Sequence, residues 1–281
     1  EMRRQLVVTG TVRSIAMSQP VMKIPVNPDT GTDATWVLGT DFGTSASSGT
    51  QRTHQISEIT LSAYKLATKE YIAFEEDEDS LIPILPLVRD AMARRMAKTL
   101  DKAMLLGAGS GSNPLKGFAA YDPAGGAGGA SAPAVTLATT STAMTVAKMI
   151  EARKNLGAWG LNPSELIAFV STQAYYELLE DANFQTVDKI GAQATYLTGQ
   201  IGSIGNTPVI VSASFDAAAS GAAAAVLVNP MNFLVGTHRG MRVDSDDIVI
   251  EQRSVLVASM RIGMTQLSTV DGQGVVAVRY V

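Results

Sequence analysis

Cysteine is absent from the 281-residue chain, so disulfides, thiolate metal sites and thiol nucleophiles are all excluded. Charge is scarce as well. Asp, Glu, Lys and Arg make up 17% of the residues, against about 25% in an ordinary domain. A monomer so poor in charge must hide an unusual share of its surface or associate, so the composition predicts an oligomer. The formal net charge of -4 provides no basic field for nucleic acid. No apolar run reaches the roughly 18 residues of a membrane span, and no membrane contact is predicted. His54 and His238 are the only histidines, and neither has a second ligand at helical or hairpin spacing. No Gly-x-Ser-x-Gly elbow precedes a helix.

What the chain does have is one long helical pattern within the stretch from Tyr64 to Gly107. Leu85, Val88, Met92, Met96, Leu100 and Ala103 recur at spacings of three and four, which puts them on one helical face. Arg89, Asp90, Arg94, Arg95, Lys98, Asp101 and Lys102 take the other faces. Ser80 is the predicted N-cap, Pro83 and Pro86 fall in or near the first turn, and Gly107 is placed to stop the helix. At ~1.5 Å per residue the helix from Pro83 to Leu106 spans about 36 Å, long enough to act as a spine for other layers.

The remaining segments are read around that spine. Residues 1–22 carry Arg3, Arg4 and Arg13 around the apolar runs Leu6–Val8 and Ile15–Met17, and read as an arm that lies along something. Lys23–Val26 and a return strand with Ile56, Ile59 and Leu61 frame a polar excursion that has too little apolar surface for its own core. Thr145–Leu156 is a second amphipathic helix, with Val146, Met149, Ile150 and Arg153 on its buried side. Strands are predicted at 166–170, 208–211, 223–228, 247–251, 254–260 and 274–281, with Ser171 capping a short helix over 173–179. No repeat is found. The order predicts an α+β chain with an inserted domain.

Three features invite a chemical reading. Glu75-Glu76-Asp77-Glu78-Asp79 is the densest charge run. It suits the positive end of the spine helix, or arginines of another subunit, and lacks the glycine and alternating ligands of an EF-hand loop. A metalloenzyme built on this tract is the competing class. Gly107-Ala108-Gly109-Ser110-Gly111 follows a helix and has no Gly-Lys-Ser/Thr, so it reads as a loop and not a phosphate cradle. Trp36, alone in the polar excursion, reads as an interface anchor. No catalytic, cofactor-binding or metal-ligating residue is assigned, and no enzyme is predicted.

In succession, Ala34-Thr35-Trp36-Val37, Ile56–Leu61, Lys65-Leu66-Ala67, the acidic tract, the long helix and Pro114-Leu115-Lys116-Gly117 resemble the tailed-bacteriophage major capsid protein family of the Hong Kong 97 type. Asn206-Thr207-Pro208-Val209 and Arg261-Ile262-Gly263 extend the resemblance towards the C-terminus. The resemblance implies an N-terminal arm at 1–22, an E-loop at 23–63, a peripheral domain at 64–137 with its spine helix at about 81–106, an axial domain at 138–235, and a second peripheral part at 236–281. It implies self-assembly into pentamers and hexamers of an icosahedral virion shell around double-stranded DNA. Portal, scaffold or protease, and decoration proteins are the implied partners, and DNA contact is expected to be non-specific. Trp36, Arg52, Arg3, Arg4 and the carboxylates of Glu75, Glu76, Asp77, Glu78 and Asp79 are the expected subunit-interface residues. Some members cross-link through an E-loop lysine. Here no lysine lies between Lys23 and Lys65, so non-covalent closure is expected. An encapsulin-type nanocompartment shell is the alternative with the same architecture.

Overall fold

The computed structural model describes residues 8–26, 57–75, 84–111, 113–122, 135–137, 143–181, 202–268 and 273–280. Their elements are β1 (Arg13–Ala16), β2 (Val21–Val26), β3 (Ser57–Ser62), β4 (Tyr64–Ala73), the spine helix α1 (Ile84–Leu106), β5 (Ala108–Ser110), β6 (Asn113–Lys116), α2 (Phe118–Tyr121), β7 (Val135–Leu137), α3 (Val146–Asn155), β8 (Ile167–Ser171), α4 (Thr172–Glu180), β9 (Ser203–Ile204), β10 (Thr207–Ser212), β11 (Ala223–Val228), β12 (Phe233–Ile248), β13 (Arg253–Gln266) and β14 (Val275–Tyr280). This is the α+β order that the sequence predicts.

Two sheets organise these elements. The first has the order β1-β12-β13-β4, with β1 parallel to β12 and the other pairs antiparallel. The period-2 pattern of β4 decides which face is covered. Leu66 and Ile72 pack with Met92 and Met96 of α1, while Lys65, Ala67, Lys69 and Tyr71 remain exposed. The second sheet has the order β7-β14-β11-β8-β10-β9. Met149 and Ala152 of α3 and Ala174 and Leu178 of α4 cover one of its faces. Thr145 and Ser171 cap these two helices, each side-chain oxygen accepting from the backbone N–H three residues on.

The other face of the second sheet meets the end of the spine. Phe169, Val226, Val228 and Ala277 pack there against Leu100, Met104 and Leu105 of α1, with Val8 and Val12 from the start of the chain. Phe118 stacks on Phe169 at 6.1 Å and stands edge-on to Phe233 at 4.9 Å. This junction core joins both sheets to the helix in one packed body.

Several expectations change at this junction. Asp101, expected on a solvated face, is 1% exposed. Its Oδ1 accepts from the Val8 backbone N–H at 2.9 Å and its Oδ2 from the Ser214 hydroxyl at 3.1 Å. The last turns of α1 are covered on more than one side, so a single-stripe pattern does not describe them. The arm lies along the chain's own first sheet: β1 extends β12, and Val8, Val12 and Met17 are buried. Residues 275–280, expected in the peripheral part, pair as β14 within the second sheet, because their unbroken apolar run suits a strand covered on both faces. In α3 the buried side centres on Met149 and Ala152, leaving Ile150 60% exposed. Residues 249–251 form a 3-10 turn between β12 and β13 in place of a strand. Ser80 and Pro83 lie outside the described residues.

Gly107 ends the spine as expected, but for reasons of space. A methyl there would overlap the carbonyl oxygens of Ala103 and Leu115. The segment after it, read as a loop, forms the tight β5–β6 hairpin folded against the helix end.

Asp101→Ala strands two buried donors, and should destabilise the subunit by about 3 kcal/mol, at ~1–3 kcal/mol per orphaned group. Ser214→Ala should cost about 2 kcal/mol or more, because it leaves a buried oxygen of the Asp101 carboxylate without its donor. Denaturant midpoints at unchanged m-value check both.

Candidate assembly interface

The polar excursion between β2 and β3 grows from a rigid root. The two strands pair antiparallel from Val21↔Ser62 to Val26↔Ser57. Leu61 is fully buried with Met17, Ala63 and Leu234. Gly236 lies beneath Met17 and Leu61, and Gly263 beneath the Ser62 carbonyl; a methyl at either would overlap these groups. Two glycines therefore let the hairpin root sit directly on the first sheet. On its exposed side Lys23 bridges Glu58 at 2.7 Å. The hydrogen bond first, and the carboxylate's charge second, raise the Lys23 ammonium above its ordinary range.

Of the interface residues expected from the sequence, Glu75 is exposed just beyond β4. Trp36, Arg52, Arg3, Arg4, Glu76, Asp77, Glu78 and Asp79 lie outside the described residues. His238 is half-buried on β12. His54 lies outside the described residues.

Other surface features were not singled out by the sequence reading. Val249 and Ile250 form the tip of the β12–β13 ribbon, 75% and 97% exposed. Leu161, 75% exposed, and Trp159 project from the turn after α3. The run Ile248-Val249-Ile250 reads equally well as a buried strand, so only the turn at its centre distinguishes it. Ion pairs link the parts of the body itself. Arg95 of α1 forks onto Glu70 of β4 at 3.1 and 3.2 Å, and Lys102 reaches Asp216 at 2.6 Å.

The architecture is thus a spine helix on a four-stranded sheet, a second sheet joined at the spine's end, and a long excursion rooted on the first sheet. The chain matches the model of the phage capsid family over residues 1–268. It is 34% identical to the major capsid protein of Escherichia phage T5 over 265 residues, covering 94% of this chain. The chain spans 56% of the length of that curated relative. Solved structures share the fold at lower identity. The capsid of a native GTA particle superposes with a TM-score of 0.69 at 17% identity, over 98% of this chain and 89% of that one. For the mature capsid of bacteriophage PhiM1 the values are 0.67 and 15%, over 95% and 84%. For Microbacterium phage Oxtober96 they are 0.70 and 17%, over 99% and 91%. The fold is the Hong Kong 97-type capsid fold. The chain belongs to the phage capsid family, and these relatives do not favour the encapsulin-type alternative.

Leu61→Ala should cost about 3 kcal/mol, within the ~2–5 kcal/mol of buried leucine truncations. Because Leu61 anchors the hairpin root, amide exchange in β2 and β3 should rise more than in α1, as hydrogen-exchange mass spectrometry would show.

Proposed function

We propose that this chain is the shell-forming part of a major capsid protein. Copies assemble into pentamers and hexamers, and these close an icosahedral virion shell around double-stranded DNA. The match to the phage capsid family across residues 1–268 carries this reading. Low charge and the exposed apolar side chains of Leu161, Val249 and Ile250 agree with it, because both are tolerated where surface is covered by neighbours. The role is structural, and no reaction is assigned. The first sheet with α1 serves as the peripheral part, the second sheet with α3 and α4 as the axial part, and residues 27–56 as the reach of the E-loop.

Closure is non-covalent. An isopeptide needs an amine nucleophile on the reach of the E-loop, and between Lys23 and Lys65 the chain offers Arg52 but no lysine. A guanidinium stays protonated and is a poor nucleophile. Buried area and inter-subunit ion pairs hold the shell instead, with Arg3, Arg4 and Arg52 facing the tract Glu75–Asp79. Such pairs contribute little singly when exposed, so their repetition over the shell matters. Portal, scaffold or protease, and decoration proteins complete the particle. DNA is contacted weakly and without sequence preference, since the net charge is -4.

Light scattering and electron microscopy of the purified chain should show closed particles. A chain that stays monomeric under all conditions would refute the reading. Boiling particles in detergent should release one band near 29.5 kDa, and a ladder of covalent multimers would overturn non-covalent closure. Trp36→Ala should weaken assembly by about 2 kcal/mol or more per contact if Trp36 is an interface anchor. The melting of the isolated subunit should scarcely move; a subunit that unfolds would assign Trp36 to an internal core.

A further inference from the structure

We propose, resting on the shell reading above, that Lys65, Arg261 and Arg239 form a docking row for the acidic segment Glu75–Asp79 of a second copy of this chain. The row lies on the face of the first sheet opposite the spine. Arg239 stands opposite Arg261 in the β12–β13 ladder, and Arg261 opposite Lys65 in the β13–β4 ladder. Arg261 and Lys65 share a face as directly opposed residues, and Arg239, which has a register shift on either side, is placed on that face by its hydrogen bond to Ser259, two residues from Arg261.

Like charges set directly opposite one another destabilise a sheet. Two nearby cations are compensated by carboxylates: Arg242 bridges Asp244 at 2.6 Å, and Arg253 bridges Glu251; Lys69 lies over the Tyr71 ring at 5.5 Å. The row is not compensated in this way. Arg239 donates to the Ser259 hydroxyl at 2.7 Å, a neutral acceptor. Arg261 Nε is shielded from solvent without an acceptor. None of the three forms an ion pair among the described residues. An anion from outside would remove the repulsion.

The subunit's own tract cannot supply that anion. Phe74, whose N–H donates to the Gln252 carbonyl at 3.1 Å, holds one end of it. Ile84 holds the other. Arg95 of α1 sits over Glu70, so Ile84, about 16 Å back along the helix axis, lies level with the far end of β4. Lys65 is about 26 Å along the strand from Ala73. Counted along the chain, the carboxylates of the tract lie no more than five residues from Phe74, a reach of at most about 18 Å. They would also have to pass to the opposite face of the sheet. A neighbouring copy has no such tether and brings five consecutive carboxylates in one-to-one ratio. They outnumber Arg3, Arg4 and Arg52, so the row supplies the cations that these arginines lack. Duplex DNA is the other polyanion within reach of a shell, but a chain of net charge -4 repels it as a whole.

The lack of native cysteine makes the test clean. Subunits carrying Ala67→Cys, beside the row on the same face, are mixed with subunits carrying Asp77→Cys and oxidised. Covalent pairs are read on a denaturing gel while light scattering follows particle formation. The expected result is a hetero-pair. Its yield should fall at least tenfold when Arg239→Glu and Arg261→Glu are added, with a thermal melting no lower than that of the parent subunit. It should recover when the partner carries Glu76→Arg and Glu78→Arg. Particles that form without the hetero-pair overturn the docking row and leave the shell reading standing. A hetero-pair without particles does the reverse, and the absence of both overturns both. Charge-reversed subunits that assemble normally but lose a duplex-DNA mobility shift would identify phosphate as the occupant and overturn the proposal.

Discussion

The carboxylate of Asp101 is buried where three parts of the chain meet. Asp101 projects from the spine helix, holds the backbone of Val8 at the start of the chain, and holds Ser214 from the segment after β10. Removing a carboxylate from water is costly unless its oxygens find donors, and each oxygen here has one. The geometry is therefore demanding: arm, spine and second sheet must all be in place before the group is satisfied. Apolar contacts alone are non-directional and would let these parts slide. A hydrogen-bonded carboxylate selects one arrangement of them.

The junction core supplies the bulk of the cohesion around that point. The aromatic cluster of Phe118, Phe169 and Phe233 fills the space between the sheets and the end of the spine. Lys102, the residue after Asp101, reaches Asp216, so consecutive spine residues grip the same segment from inside and from the surface. The hairpin root is fixed differently, by glycines that admit Leu61 and Met17 against the first sheet. A subunit with a stiff body and a firmly rooted excursion suits a shell, in which one sequence must fit environments that differ only slightly.

The outer face of the first sheet shows how assembly and folding pull on the same residues. A free subunit selected for stability alone would alternate charge signs across Arg239, Arg261 and Lys65, as it does at Arg242 and Asp244. On the docking proposal, a neighbouring copy's carboxylates would relieve this repulsion and so favour the assembled state. Exposed Val249 and Ile250 follow the same logic with apolar surface.

Much of this was legible in the residues. The spine, the capping Ser171, the strands near 208–211 and 223–228, and the two strands framing the excursion follow from period, caps and turn chemistry, which are local properties. The family was legible from the succession of such elements. What could not be read was which local feature meets which. Asp101 looks like any solvated helix residue until Val8 and Ser214, 93 and 113 residues away, come to it. β14 gives no sign of its sheet, because an unbroken apolar run states that a strand is buried and not between which neighbours. The cation row is spread over three strands and exists only through their register. The sequence by itself determined the elements and the family; the tertiary structure decided the junction and the row, because both depend on contacts between residues far apart in the chain.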